Sequence, residues 1–153
     1  MRRLILLLLL LIAGPALAEA RLADAEVRAF VTRQEQAWNA GALDRYFAAF
    51  TPDARFTDQA YVGDQPPVPY GTSTLAQARL QARKSLRDLK PHETGRVLKI
   101  AIAPDGRSAR VDSNVVSEVG RRRLCASRAQ TLTLAHGSLR SRGQTDTFIR
   151  CRK

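Results

Sequence analysis

Asp58 and His92 are the two residues in this sequence whose types best suit acid–base chemistry. Asp58 ends a segment in which Ala54, Phe56 and Asp58 alternate with polar residues, as in a strand with one buried face. If Ala54 and Phe56 face the interior, the carboxylate of Asp58 faces it too. An aspartate in an apolar pocket can have its pKa raised into a range useful for proton transfer. His92 could pair with Asp58 as an acid–base couple, although a single histidine also suits a structural or exposed position.

Two amide side chains, Gln34 and Asn114, are further candidates for contact with a ligand. Gln34 is the strongly polar residue on the apolar face of the first predicted helix. A buried glutamine costs free energy unless it is hydrogen-bonded, so Gln34 is either a satisfied core residue or a donor in a pocket. Asn114 lies between Ser113 and Val115 in a predicted strand and could face the same pocket. The sequence contains no glycine-rich phosphate loop, nucleophile elbow or metal-ligand motif, so we predict no metal and no cofactor.

The first third of the chain predicts two helices followed by a strand. Apolar residues recur at helical spacing from about Ala23 to Ala40, with Asp24 as the predicted N-cap and Gly41 as the stop. A second, short helix follows, and its apolar stripe consists of Leu43, Tyr46, Phe47 and Phe50. Thr51-Pro52-Asp53 then predicts a turn, after which the alternation that ends at Asp58 predicts a strand.

A proline-rich segment and a third helix come next. Gln59–Tyr70 contains Pro66, Pro67 and Pro69, which predict an extended loop rather than a helix. The third helix begins at Gly71-Thr72-Ser73 with Thr72 or Ser73 as its N-cap, and its apolar stripe is Leu75, Ala78, Ala82, Leu86 and Leu89. Arginines recur on another face of this helix without stacking aromatics between them. This pattern predicts a solvated charged face and no binding of nucleic acid.

The second half of the sequence predicts strands joined by short turns. The strands are Val97–Ala103, Ala109–Val119, Leu124–Ala135 and Leu139–Arg150, and the turn signals include Pro104-Asp105-Gly106 and His136-Gly137-Ser138.

The two cysteines, Cys125 and Cys151, lie on the two arms of the last predicted hairpin. The midpoint of their numbers is Ser138, inside the predicted turn, so an antiparallel hairpin centred there places them opposite each other. In an oxidising compartment we predict a disulfide, which stabilises by about 3 kcal/mol in the chain-entropy model. The alternatives are two free thiols or a metal site, but the spacing of His92 and His136 from the cysteines matches no metal-ligand pattern.

The N-terminus predicts a signal peptide covering residues 1–18. Met1-Arg2-Arg3 is basic, Leu4–Ala13 is apolar, and Ala16-Leu17-Ala18 has small residues where a signal peptidase cleaves. The apolar run is shorter than the roughly 20 residues that span a bilayer, which disfavours an uncleaved anchor. We predict cleavage after Ala18, with Ala20 as the alternative. Export to the periplasm of a Gram-negative bacterium follows, with secretion as the alternative.

Composition limits the remaining possibilities. The 153 residues suffice for one domain, residues 19–153, with a sizeable core. The chain is basic, with 25 Lys and Arg against 14 Asp and Glu. Because these charges are spread along the chain, they indicate no particular anionic partner.

The stretch that includes Asp58 resembles the nuclear-transport-factor-2-like superfamily, which includes ketosteroid isomerases, polyketide cyclases and non-catalytic binding domains. The matching residues are Trp38-Asn39-Ala40-Gly41, Leu43-Asp44, Phe50, Asp53-Ala54, Phe56 and Asp58. The resemblance implies an α+β fold in which a cone-shaped, curved antiparallel sheet packs on three helices from the N-terminal half. It also implies one pocket at the open end of the cone and a possible homodimer through the sheet.

Within this superfamily, ketosteroid isomerases resemble the chain best, over residues 27–89. The resemblance implies that Asp58 occupies the position of their catalytic base. Their oxyanion-binding tyrosine is replaced here by Gln34, and their second oxyanion donor, a protonated carboxylic acid, falls near Gln130. Loss of a good oxyanion donor costs about 10²–10³ in rate, so these replacements favour a binding domain over an enzyme.

Three functions stay open at this point. The first is a domain that binds a small organic ligand in the cone pocket, lined by Trp38, Tyr46 and Phe50 and by the polar Gln34, Asp58 and Gln130. The second is an isomerase, dehydratase or cyclase with Asp58 as general base. The third is an exported protein that binds a protein partner, such as an immunity protein against a toxin. If Arg55, Arg79 or another cation pairs with Asp58, this aspartate is a structural anchor instead.

Overall fold

The computed structural model describes residues 21–88 and 91–151, so the predicted signal peptide and Leu89 lie outside the described residues. Three helices and six strands follow one another as α1 Asp24–Asn39, α2 Leu43–Ala48, β1 Phe50–Ala60, β2 Val68–Thr74, α3 Leu75–Asp88, β3 His92–Ile102, β4 Ser108–Val119, β5 Arg122–Ala135 and β6 Ser138–Ile149. The fold is therefore α+β, with the helices in the N-terminal half, as predicted. No helix within the described ranges is both long and apolar enough to cross a membrane.

The six strands form one curved sheet in the order β2-β1-β6-β5-β4-β3. Strands β1 and β6 are parallel, and every other neighbouring pair is antiparallel. The register between β1 and β6 shifts between Phe50 and Arg55. At this shift the backbone of Arg55 lies very close to Gly143. Glycine is required there because its φ is 142° and a Cβ at this position would overlap the carbonyl oxygen of Arg55.

Helix α1 packs its apolar face on the centre of the sheet. Val27 and Phe30 join Val111 and Leu132 in a fully buried cluster. The predicted cap at Asp24 is wrong, because Ala23 is the N-cap residue. The carboxylate of Glu26 accepts a hydrogen bond from the Ala23 backbone N–H at 3.0 Å, which satisfies the first free amide of the helix.

A second buried cluster joins the end of α1 to α2, α3 and β1. Its members are Ala37, Tyr46, Phe47, Phe50, Ala54 and Ala82, and Trp38 and Phe56 pack against it. The ring centroids lie close together, with 5.1 Å between Trp38 and Tyr46 and 4.8 Å between Phe50 and Phe56. Aromatic packing of this kind fixes the side chains between the helices and β1.

The turn predicted at Thr51-Pro52-Asp53 is wrong, because β1 begins directly at Phe50 and runs through these residues. They lie in the interval where β1 has no residue partner on β6, so Pro52 removes no donor from the ladder. The predicted loop is also shorter than expected, since β1 extends to Ala60 and β2 starts at Val68. Pro69 is compatible with β2 because this strand forms an edge of the sheet.

Helix α3 starts at Leu75, later than predicted, and its cap is Thr74 rather than Thr72 or Ser73. The Gln77 N–H donates to Thr74 Oγ1 at 3.3 Å, and the Thr74 N–H donates to Gln77 Oε1 at 2.9 Å. This reciprocal pair is a capping box, which satisfies two backbone donors at once. The two residues predicted as caps belong to β2, whose hydrogen bonds to β1 hold them in extended conformation.

The predicted hairpin of β5 and β6 and the predicted Cys125–Cys151 disulfide are both confirmed. His136 and Gly137 form a two-residue turn with φ of 50° and 73°, which suits a type I′ hairpin. The register differs slightly from the symmetry about Ser138, because Cys125 lies opposite Ile149. Cys151 follows two residues later, and the diagonal pair is bridged with a Cα–Cα distance of 5.2 Å.

Candidate functional site

Two adjoining spaces between the helices and the sheet form a cavity, which we call the ligand cavity. The larger, about 340 Å³, is bounded by α3 and β1, and the smaller, about 210 Å³, extends over β5 and β6. Trp38, Tyr46, Ser117 and Gln144 line both spaces. The structure thus has a pocket where the resemblance places one.

Aromatic side chains form one wall of the ligand cavity. Tyr46 lies at its centre, with ring centroids 5.1 Å from Trp38 and 5.0 Å from Phe47. Burial raises the pKa of Tyr46, so its phenol stays protonated at neutral pH. The hydroxyl donates a long hydrogen bond of 3.5 Å to Gln144 Oε1. Trp38 has a buried indole nitrogen without a partner among the described residues, so an N–H donor is free there.

The floor of the cavity is a buried ionic cluster centred on Arg128. Its guanidinium contacts Glu93 at 2.5 and 3.1 Å and Asp146 at 2.7 and 2.8 Å, and all three side chains are only 13% exposed. Burial by itself would lower the pKa of Arg128, but the two carboxylates outweigh it and hold the pKa well above its usual range. Arg128 therefore remains charged at every accessible pH, and the cluster carries one net negative charge.

Neighbouring polar side chains hold this cluster in place. Asn39, at the end of α1, accepts the backbone N–H of Glu93 at 2.8 Å and donates to the backbone carbonyl of Glu93 at 2.7 Å. Gln144 donates to Asp146 Oδ2 at 3.3 Å and so connects the cluster to Tyr46. Asn39 therefore anchors the backbone of Glu93 from α1, whereas Gln144 contacts the Asp146 carboxylate from the same strand, β6.

Asp58 lies at the rim of the ligand cavity on β1 and is exposed to solvent. Its pKa is raised, first by partial desolvation and then by the nearby charge of Asp146, against a smaller opposing effect of Arg128. Among the residues that the structure describes, no cation lies within 4.0 Å of its carboxylate. Arg79, one candidate partner, pairs with Asp44 at 3.1 Å instead. The structural-anchor alternative therefore has no ion pair to support it.

Gln34 and Gln130 lie apart from Asp58, on the far side of the ionic cluster. Gln130 Nε2 donates to Gln34 Oε1 at 3.1 Å in a space of only about 20 Å³ that Arg128 and Glu93 also line. The donor of Gln130 is consequently used within the protein. Neither glutamine lines the ligand cavity, so these two residues and Asp58 do not face one cavity.

Three other predicted site residues do not line the ligand cavity. Phe50 packs in the core behind Tyr46, with 5.3 Å between ring centroids. His92 is exposed at the start of β3, opposite Glu118, and does not line the ligand cavity. Asn114 lies on the opposite face of β4, because the alternation of that strand buries its neighbours on either side, Ser113 and Val115.

The sequence pattern did not predict the ionic cluster, Glu93, Arg128 and Asp146, or the adjoining Gln144, among other lining residues such as Ser117. One signal was available for Arg128. It lies between Ala126 and Gln130 on the face of β5 that continues to Leu132, and all three of these neighbours are buried. An arginine on the inward face of a strand indicates a buried carboxylate partner, since an unpaired buried charge is strongly unfavourable.

No known protein-family model matches the chain, and no curated protein is similar to it in sequence. Solved structures do share its fold. The beta subunit of benzoate 1,2-dioxygenase from Burkholderia mallei has a TM-score of 0.64 at 11% identity, covering 85% of this chain and 93% of that one. A ketosteroid isomerase-like protein from Erwinia carotovora atroseptica has a TM-score of 0.61 at 11% identity, covering 83% and 96%. An NTF-2 like protein from Shewanella oneidensis has a TM-score of 0.63 at 10% identity, covering 80% and 97%.

These similarities show that the chain has the nuclear-transport-factor-2-like fold, as predicted from the residues around Asp58. Identities this low extend to the fold alone. The chemistry must therefore be argued from the cavity itself. In the described ranges, no three His, Cys, Asp or Glu side chains are grouped so that they could hold a metal ion.

Proposed function

We propose that this protein is a small-ligand-binding domain and that its ligand is an organic amine with an apolar ring. The observation that carries the proposal is Asp58, a carboxylate at the rim of an aromatic cavity with no cation beside it in the described part of the chain. A protonated amine next to Asp58 would supply the missing charge. The apolar part of the ligand would cover the ring of Tyr46 and its neighbours.

The charge of the ligand cavity supports a cationic ligand. Its described lining contributes three carboxylates, from Asp58, Glu93 and Asp146, and one guanidinium, from Arg128. This lining is therefore net negative, although the chain as a whole has a formal net charge of +11. The negative field of this lining favours binding of cations, although the protein as a whole is positive. The low dielectric of the cavity strengthens this field.

A second group on the ligand is implied by Trp38. Its buried indole nitrogen has no hydrogen-bond partner among the described residues, and an unpaired buried donor costs about 1–3 kcal/mol. A ligand that also carries an oxygen acceptor would satisfy it. The ring, the amine and the acceptor together would fill a space of about 340 Å³, which is within the usual size of a small-molecule site.

Two probes with the same phenyl body test the charge preference: phenethylamine and 2-phenylethanol. We expect calorimetry to show the amine binding at least about tenfold more tightly than the alcohol, since a charge-assisted hydrogen bond contributes roughly 1.5–3 kcal/mol. The variant Asp58→Asn should bring the two affinities together. Asp53→Asn is the matched control on the same strand, because Asp53 is exposed, faces Arg142 and does not line the cavity. Equal binding of amine and alcohol to the unaltered protein would refute the proposal.

The raised pKa of Asp58 gives the same experiment a pH dependence. Amine binding needs the carboxylate ionised, so affinity should begin to fall at a higher pH than for an ordinary aspartate. The stability of the folded protein without ligand depends on pH in the opposite direction to amine binding. Because the folded pKa is raised, ionisation of Asp58 lowers the free energy of unfolding as pH rises through that window. Asp58→Asn should therefore keep or raise Tm at neutral pH, and a large loss of Tm with unchanged amine binding would make Asp58 a structural residue.

We also propose that the mature domain is exported. The basic, apolar and small segments of residues 1–18 support this location. The Cys125–Cys151 disulfide is consistent with it, because such bonds persist mainly in oxidising compartments.

A further inference from the structure

A second cavity of about 480 Å³ lies where α1, α2 and the start of β6 meet. It shares none of its described lining residues with the ligand cavity. Three arginines line it, one from each element: Arg33 from α1, Arg45 from α2 and Arg140 from β6. We refer to it as the arginine cavity.

The charges of the arginine cavity all have the same sign. Its lining within residues 21–88 and 91–151 includes no Asp or Glu. Arg33 and Arg45 have no acidic partner within 4.0 Å in that part of the chain, and Arg140 donates to the backbone carbonyl of Ala48. Three neighbouring cations with no counter-charge repel one another, so an anion that enters the cavity relieves this repulsion.

A buried donor provides an independent indication of a ligand. Gln34 lines the arginine cavity and is only 6% exposed. Its Oε1 is occupied by Gln130 at 3.1 Å, whereas its Nε2 has no partner among the described residues. An N–H group left unpaired in a buried position is unfavourable, and an anionic oxygen is a strong acceptor for it.

The rest of the lining is largely apolar. Phe30, Ala48, Ala49 and Leu139 form the wall between the arginines. A bare inorganic ion would leave this wall in contact with water. An anion that also carries an apolar group would cover it, and burial of apolar area stabilises by roughly 25 cal/mol per Å².

We propose that the arginine cavity is a second binding site, for a small organic anion. A carboxylate or phosphate group of the ligand is held by Arg33, Arg45 and Arg140 and accepts the free N–H of Gln34. The apolar part of the ligand lies against Phe30. This site is separate from the amine site at Asp58, so the two sites are tested independently.

The test uses 3-phenylpropanoate and phenyl phosphate as probes, with inorganic phosphate and 2-phenylethanol as comparisons, all measured by calorimetry at low salt. We expect both organic anions to bind more tightly than inorganic phosphate, and the alcohol not to bind at this site. The double variant Arg33→Gln and Arg45→Gln should weaken binding of the organic anions by at least about tenfold for each arginine removed. A matched control, Arg121→Gln with Arg122→Gln, removes two exposed arginines outside this cavity and should leave affinity unchanged.

Two further measurements separate a binding site from a general charge effect. The side-chain amide signal of Gln34 in a ¹⁵N NMR spectrum should shift on addition of 3-phenylpropanoate, whereas Asp58→Asn should not alter the affinity for this probe. The proposal fails if the arginine double variant and its control bind the organic anions equally. It also fails if inorganic phosphate binds as tightly as the organic anions do.

Discussion

We expect the variant Arg128→Met to be about 3–5 kcal/mol less stable to unfolding than the unaltered protein, because it leaves two buried carboxylates without their cation. Glu93 and Asp146 are each 13% exposed and would then face each other across the cavity floor without a counter-charge. Methionine retains most of the volume of the arginine stem, so the loss reports the charge rather than a void. For a chain of this length each kcal/mol lowers Tm by about 2–4 °C, which gives a fall of about 6–20 °C.

Urea unfolding followed by circular dichroism measures this loss directly. Arg110→Met is the matched control on the neighbouring strand, since Arg110 is 61% exposed and pairs with Asp112 at 3.0 Å. An exposed pair of this kind contributes at most about 1 kcal/mol. The loss from Arg128→Met should persist in 1 M NaCl, because salt screens buried charges far less than exposed ones.

A triple variant makes the reasoning refutable. Arg128→Met combined with Glu93→Gln and Asp146→Asn removes all three charges and should recover much of the lost stability, because no uncompensated buried charge remains. If Arg128→Met costs no more than Arg110→Met, the cluster is not a stabilising ion network. If the triple variant is as unstable as the single one, packing rather than charge explains the loss.

Two further predictions concern the covalent structure. Replacing Cys125 and Cys151 by serine should lower the free energy of unfolding by about 3 kcal/mol, because the bridge closes a loop with a separation of 26 residues. Alkylation of the unreduced, exported protein should find no free thiol. Two reactive thiols would contradict the disulfide. N-terminal sequencing of protein extracted from the cell envelope should begin at Glu19, because the small residues before it match the specificity of signal peptidase; an intact Met1 would contradict export with cleavage.

Local patterns were sufficient to predict much of the architecture. The alternation along β4 buries Ala109, Val111, Ser113 and Val115, and the same period-two pattern is visible in the sequence. The type I′ turn at His136 and Gly137 follows from residues that tolerate positive φ. Local information was also sufficient to predict the disulfide. The predicted register of β5 and β6 was wrong by two residues, but the observed register still places the two cysteines within bridging distance.

The boundaries of β1, β2 and α3 could not be predicted in the same way. Pro52 and Pro69 each suggested a break, but both lie in strands at positions where no ladder donor is needed. Whether a proline is tolerated depends on which neighbour its strand has, and this is a property of the whole sheet. The cap of α3 is Thr74 rather than a predicted residue, because pairing with β1 holds the preceding residues in extended conformation.

By itself, the sequence determined the fold, the pairing of the cysteines and the position of Asp58 on a strand that reaches the cavity. Only the tertiary structure decided which charged residues line that cavity together with Asp58. Arg128 meets Asp146 because the register of β5 and β6 places them opposite each other, and it meets Glu93 because the curved sheet brings β3 over the same floor. A slip of one residue would turn Arg128 to the other face of the sheet. The cluster that separates Gln34 from Asp58 therefore depends on long-range register, which no local pattern in the sequence encodes.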